Sequence, residues 1–265
     1  MGDAVGVGPG ALEAHLRERR DAGRKLLVPY VTGGLGDDWP EVVRAYADAG
    51  ADAIEVGIPF SDPVMDGPTI QEASEVALDQ GANLPAILDA LRDIDAGVPL
   101  VVMTYVNLVF HMGYERFAAE AVRAGVSGVI LPDLPLEELD EWEPFALDAG
   151  IETVLLASPL TPDGRLDVLC RRSRGFVYGV NLLGVTGERA SLGTRSSALA
   201  KRLKATTDLP AVMGFGVSSP EVARAASEFS DGVVVASSLM RMRLDGGRPE
   251  DLGASVAELR AALDA

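Results

Sequence analysis

The chain has 265 residues, 48% of them hydrophobic and 24% charged, which is globular composition with ample core material. Forty acidic against 23 basic residues give a net charge of −17, a field that disfavours nucleic acid and anionic membrane surfaces as partners. No apolar run approaches the ~18 residues of a membrane span, and the first ten residues lack the basic and apolar regions of a secretory signal.

Segment 11–22 reads as a helix that precedes the first strand and plugs the bottom of a barrel. Eight apolar segments rich in β-branched residues follow, at 26–32, 53–59, 99–105, 128–134, 153–158, 175–180, 210–216 and 232–238. Continuous apolar runs of this length suit parallel strands covered on both faces. Between the first two, "DDWPEVVRAYADAG" predicts an amphipathic helix. Asp38 is placed to cap it, Pro40 sits in its first turn, and Val42, Val43, Tyr46 and Ala49 line one face before Gly50 ends it. The Ala-Gly pair that closes this helix recurs before later strands at Ala124-Gly125 and Ala149-Gly150. "RLDVLCRRS" reads as a helix in which Cys170, the only cysteine, serves packing, since a catalytic thiol would need a partner and only His15 and His111 exist. One cysteine excludes an intramolecular disulfide and makes the cytoplasm the default compartment. Ser219-Pro220-Glu221 opens another helix. Strand ends fall 22 to 46 residues apart with no linker between them, so 1–265 reads as a single domain. Eight such units predict a closed (β/α)8 TIM barrel with an extra N-terminal helix, where a doubly wound open sheet would have five or six strands.

Barrel enzymes carry their chemistry in the loops that follow the strands. In "ADAIEVGIPFSDPVMDGPTIQ" (51–71), Ile54, Val56 and Ile58 share one strand face, while Ala53, Glu55 and Gly57 share the face that points into the barrel. Glu55 is therefore an inward carboxylate. A structural carboxylate would need a cationic neighbour, and no Lys or Arg lies in the strand segments. Burial without a partner raises a carboxyl pKa, the usual tuning of a general acid/base. Asp66, in the loop after this strand, reads equally well by itself as a turn residue before Gly67. Beside Glu55 it forms a carboxylate pair suited to proton transfers at two atoms of one substrate.

"TGER" (186–189), "GFGVSSPE" (214–221) and "ASS" (236–238) follow the last three strands and point to an anion site. Gly187 and Gly216 allow close backbone approach, and Ser237 adds a hydroxyl donor. The loop 182–197, with Arg189 and Arg195, reads as a lid over a phosphorylated substrate or else as a plain surface loop. No Cys/His cluster supports a metal site, and "GVGPG" near the N-terminus precedes no strand and is no dinucleotide fingerprint.

"IEVGIPFSDPVMDGPTIQ", "PDLPLEE", "GVTGER" and "GFGVSSPE", in this order, closely resemble the tryptophan synthase α-subunit family, over about residue 10 to the C-terminus. The resemblance implies a lyase of tryptophan biosynthesis that cleaves indole-3-glycerol phosphate to indole and glyceraldehyde 3-phosphate. It places the catalytic acids on Glu55 and Asp66, the active-site tyrosine on Tyr178, and the phosphate-binding backbone on Gly187, Gly216, Ala236 and Ser237. Tyr30, Leu131 and Phe215, at strand ends, would wall the indole. The implied partner is a β subunit in an α2β2 assembly, docking near 59–63, 107–110 and 132–138, and pyridoxal phosphate belongs to that subunit; no cofactor is expected on this chain. A stand-alone lyase and a non-catalytic regulator of a β subunit are the alternatives. Met65, Ala236 and Asn181-Leu182 depart from the residues usual in the family, and none of these changes removes a group the reaction needs.

One further signal lies in the basic residues. Twenty are Arg and only Lys25, Lys201 and Lys204 are Lys. Acidic side chains stay well hydrated at high salt, whereas lysine stems add apolar surface that salt makes stickier, so the balance predicts a halophilic protein.

Overall fold

Segments that are apolar on both faces gain most by being covered on both, and here the runs pair edge to edge until no edge remains. The computed structural model describes residues 8–180, 189–214 and 216–265. Its strands are β1 (Leu26–Thr32), β2 (Ile54–Gly57), β3 (Leu100–Met103), β4 (Val126–Ile130), β5 (Glu152–Ala157), β6 (Val177–Val180), β7 (Ala211–Gly214) and β8 (Gly232–Val235). All neighbours are parallel and β8 pairs back onto β1, a closed eight-stranded TIM barrel. Among the described residues no helix is long and apolar enough to cross a membrane.

The core divides by strand parity. Leu26, Val28, Ala53, Val101, Ile130, Val154 and Val212 pack inside the barrel, whereas Ile54, Val56, Val102 and Val129 pack outward under the helices. The expected inward face of β2 is borne out. Strand β4 starts two residues earlier than expected and stops at Ile130, because the "LPDL" that follows contains Pro132, which has no N–H for a ladder. That shift matters for Leu131, which packs in the outer cluster while Ile130 faces inward. The helix Trp39–Asp48 carries Pro40 in its first turn as expected, but Asp38 does not cap it. Its carboxylate instead pairs with the guanidinium of Arg243, a charge-assisted contact stronger than a bond to a neutral N–H. Gly50, Gly125 and Gly150 all adopt positive φ just after their helices.

The helix Ala11–Asp21 closes the lower end, as the sequence predicts. Leu12 and Leu16 are fully buried in the inner cluster. A side chain at Gly128 or Gly175 would collide with Leu12, so these two glycines make the socket it fills. Glu152, 1% exposed at the start of β5, accepts hydrogen bonds from the N–H groups of Leu12 (2.7 Å) and Glu13 (3.1 Å), which fixes the first turn of the helix. Just before β2, Asp52 accepts from Leu27 N–H (2.9 Å), Arg24 Nε (2.8 Å) and an Arg260 guanidinium N–H (3.1 Å), tying the helix Pro249–Leu263 to β1 and β2. Truncation of Leu12 to Ala leaves a void in a socket built of backbone. We expect it to cost about 3 kcal/mol in urea denaturation, with the fold retained by circular dichroism.

Candidate active site

Three βα loops meet over the open end of the barrel. Glu55 lies on β2, in register with Tyr30 of β1 on one side and Val101 of β3 on the other. It is 1% exposed, and among the described residues its Oε2 has no hydrogen-bond partner. Burial, then the nearby Asp66, push its carboxyl up to about 8. Gly57, on the same face, makes space for the Tyr30 ring: a Cβ there would sit 1.9 Å from Tyr30 Oη. Gly214 does the same for Tyr178, whose ring lies 2.6 Å from where a Cβ would be.

Asp66 stands at the end of the β2 loop, half-buried, two residues before the helix Pro68–Asp79. Gln71 Nε2 donates to its carbonyl (2.9 Å), and its carboxylate accepts from Tyr105 Oη (2.9 Å). Burial raises its pKa and the Tyr105 bond lowers it, leaving it at about 6. The two acids therefore differ in charge near neutrality: Glu55 holds its proton and Asp66 does not. Tyr178 is buried on β6, faces both acids, and its phenol is pushed well above its ordinary pKa by burial and by Glu55 and Asp66.

At the far side of the barrel mouth, Gly216 lies exposed with φ +56° just past β7. Ala236 is the residue before the helix Ser237–Leu244, and it has no side chain that could cap the first turn. Ser238 Oγ donates to the Val217 carbonyl (3.0 Å) and holds these two loops together. Ser237 is exposed at the first helical position. Gly187 and Phe215 lie outside the described residues. The expected lid is corrected in its second half: from Arg189 the chain is helical to Thr206, as a stretch free of proline and rich in Ala, Leu and Arg allows. The side chains of Arg189 and Arg195 are outside the described residues, as is the segment 181–188. Among the described residues no group of three or more His, Cys, Asp or Glu is arranged to hold a metal ion.

The sequence motif and this layout agree with what is known of other proteins. A sequence profile described as "Tryptophan synthase alpha chain" matches residues 16–258. The chain belongs to the tryptophan synthase alpha chain family. A family member from Streptomyces avermitilis is 41% identical over 243 residues, covering 90% of this chain and 87% of the relative. One from Xanthomonas euvesicatoria is 42% identical over 264 residues, covering 96% and 98%. The crystal structure of tryptophan synthase subunit alpha from Legionella pneumophila superposes with a TM-score of 0.87 at 31% identity, covering 97% of this chain and 99% of that one.

A family barrel that buries a lone carboxyl must carry its desolvation cost. The Glu55 penalty is absent below the ordinary pKa of 4.5, grows as pH rises toward about 8, and is constant above it. At pH 7 it is on the order of 3 kcal/mol. Glu55→Gln, neutral at every pH, is therefore expected to melt higher than the native chain at pH 7–8 and at about the same temperature at pH 4. Thermal melts across that range measure the difference.

Proposed function

We propose that this chain cleaves indole-3-glycerol phosphate to indole and glyceraldehyde 3-phosphate, as the alpha chain of a tryptophan synthase, with Glu55 and Asp66 as its catalytic acids. The observation that carries the reading is the meeting of two carboxyls at one barrel mouth, Glu55 buried with its Oε2 unpartnered and Asp66 less buried and held by Tyr105. Indole leaves poorly until its C3 is protonated. Glu55, neutral at pH 7, gives that proton. The resulting indoleninium accepts the electron pair of the breaking C–C bond, and the Glu55 carboxylate takes the proton of the adjacent glycerol hydroxyl, which becomes the aldehyde. Glu55 ends as it began. Asp66, ionised, accepts from the indole N–H and stabilises the positive charge that develops there.

Ile130 and Leu156, which belong to or pack against the inner cluster, supply apolar surface for the ring together with Tyr30 and Tyr178. The backbone N–H groups of Ala236 and Ser237, at a helix N-terminus, with those of Gly216 and Gly187, suit the phosphate without calling on a lysine. This acid–base chemistry needs no cofactor on this chain; pyridoxal phosphate belongs to the β subunit. A partner on the catalytic end fits the apolar side chains left there: Val64 and Leu160, in the loops after β2 and β5, and Phe110, in the short helix Val106–Met112 after β3, are 79%, 68% and 71% exposed. Two acids positioned for proton transfer speak against a purely regulatory role.

Indole release from indole-3-glycerol phosphate by the purified chain tests the reading. Glu55→Gln is expected to lower turnover by ~10²–10⁴-fold with the fold intact. Asp66→Asn is expected to lower turnover as well as affinity, because an amide carries no negative charge. Near-native turnover in both variants would overturn the assignment.

We further propose that the protein works in the cytoplasm of a salt-accumulating cell. All three lysines are engaged: Lys25 Nζ donates to the Ser227 and Ser230 carbonyls, Lys204 pairs with Asp231, and Lys201 lies 4.0 Å from the centre of the Phe229 ring. The free charged surface is thus overwhelmingly acidic and arginine-rich. Its self-repulsion is largely screened at molar salt, where the Debye length is ~3 Å. The melting midpoint is expected to rise from dilute buffer to molar KCl; a flat or falling midpoint rejects the salt reading.

A further inference from the structure

Tyr105 stands two residues past the end of β3, on the parity of the inward Val101 and Met103, and is 3% exposed. Its hydroxyl uses both of its hydrogen-bonding capacities on one neighbouring loop. It accepts from the Met65 N–H (3.0 Å) and donates to Asp66 Oδ2 (2.9 Å). The ring is stacked on Phe60 of the same loop, with centroids 4.8 Å apart and planes 25° from parallel. The turn behind it is held in its place by Asp133, which accepts the Val106 N–H (2.9 Å). The β2 loop carries no regular structure between Gly57 and Pro68; the Asp66 backbone is held by its N–H to the Pro63 carbonyl (3.0 Å) and by Gln71, which leaves the direction of its carboxylate to Tyr105.

We infer that Tyr105 is a positioning residue, which holds the Asp66 carboxylate in its reactive orientation and keeps it ionised under working conditions. The inference rests on the catalytic reading of Asp66 given above. Among the described residues the Tyr105 hydroxyl is the one side-chain partner of that carboxylate. The other groups that face it are Glu55 on β2, Tyr30 on β1 and Tyr178 on β6, none of them a cation. Burial favours a protonated Asp66, and the Tyr105 bond opposes it. Removing the hydroxyl therefore moves the Asp66 pKa up.

The experiment is a pH profile of kcat/KM for indole release between pH 5 and 9, on the native chain, Tyr105→Phe, Phe60→Leu and Asp66→Asn. Tyr105→Phe keeps the ring and its stacking and loses both hydrogen bonds. It is expected to lower kcat/KM by roughly tenfold to a hundredfold near pH 6 and to shift the acid limb to higher pH, with a smaller deficit at pH 8. Phe60→Leu, which removes the stacking alone, is expected to leave the limb in place. Site-specific 3-fluorotyrosine at 105 guards against a folding defect: the same shape with a stronger donor should move the limb to lower pH. A native-like acid limb in Tyr105→Phe, with or without a loss of rate, overturns the inference, as does an unmoved limb with fluorotyrosine. Asp66→Asn separates the two levels. If it retains native activity the catalytic reading falls; if it is inactive while Tyr105→Phe keeps the native profile, only the positioning role falls.

Discussion

A carboxyl group buried within a parallel barrel, its Oε2 unpartnered among the described residues, is the constraint around which the rest of this molecule is arranged. Burial, then the nearby Asp66, disfavour ionisation of Glu55, whose described neighbours at the mouth are apolar, phenolic or acidic. The lower end of the barrel is stopped by Leu12 and Leu16, so water does not arrive from below. Gly57 and Gly214 give up their side chains so that Tyr30 and Tyr178 can fill the mouth around it. Asp66 then has the complementary position: less buried, tied to a phenol, and charged where Glu55 is neutral. A single chemical asymmetry, one acid wet and one dry, follows from loop length and strand parity.

Much of this was legible in the sequence because it is periodic. The run 26–32 is β1, residue for residue, since a fully buried parallel strand is apolar throughout. Parity alone placed Glu55 inside. Parity also needed the right strand end, and at β4 the "LPDL" extension put Leu131 where Ile130 belongs. Tertiary contacts were the blind spot. Asp38 has every mark of a helix cap, yet a guanidinium 205 positions away competes for it and wins. Tyr105 was hidden for the same reason: read as the last residue of a strand, it gave no sign that its hydroxyl would find a loop 40 positions earlier. Its shared parity with Val101 and Met103, at a strand's C-terminal end, was the available clue. The helix from Arg189 was obscured by glycine and serine, which lower helix propensity without forbidding it.

The family assignment and the physical reading support one another at different depths. Similarity over nearly the whole chain names the reaction class, while the geometry sets Glu55 and Asp66 apart from the other thirty-eight acids. Most acidic side chains here lie on the surface, where their charge serves hydration and is screened by salt. Only those removed from water are chemically distinctive, and those at the lower end, Asp52 and Glu152, are already satisfied by arginines and backbone N–H groups. Among the described acids, Glu55 alone is buried with an oxygen left unpartnered.

The Asp52 cluster has a consequence for how the chain is made. Arg24 and Arg260 reach the same carboxylate, but Arg260 lies 208 positions further along. β1 likewise waits for β8, the last strand to be synthesised. At a translation rate of ~5–20 residues per second, some tens of seconds separate the emergence of Asp52 from that of its second partner. Throughout that interval the growing barrel has two open sheet edges and an incompletely paired carboxylate, the condition in which nascent chains associate wrongly. Closure is thus a late event joining both ends of the polypeptide, and shielding of β1 by other proteins during synthesis would have the most to offer this chain.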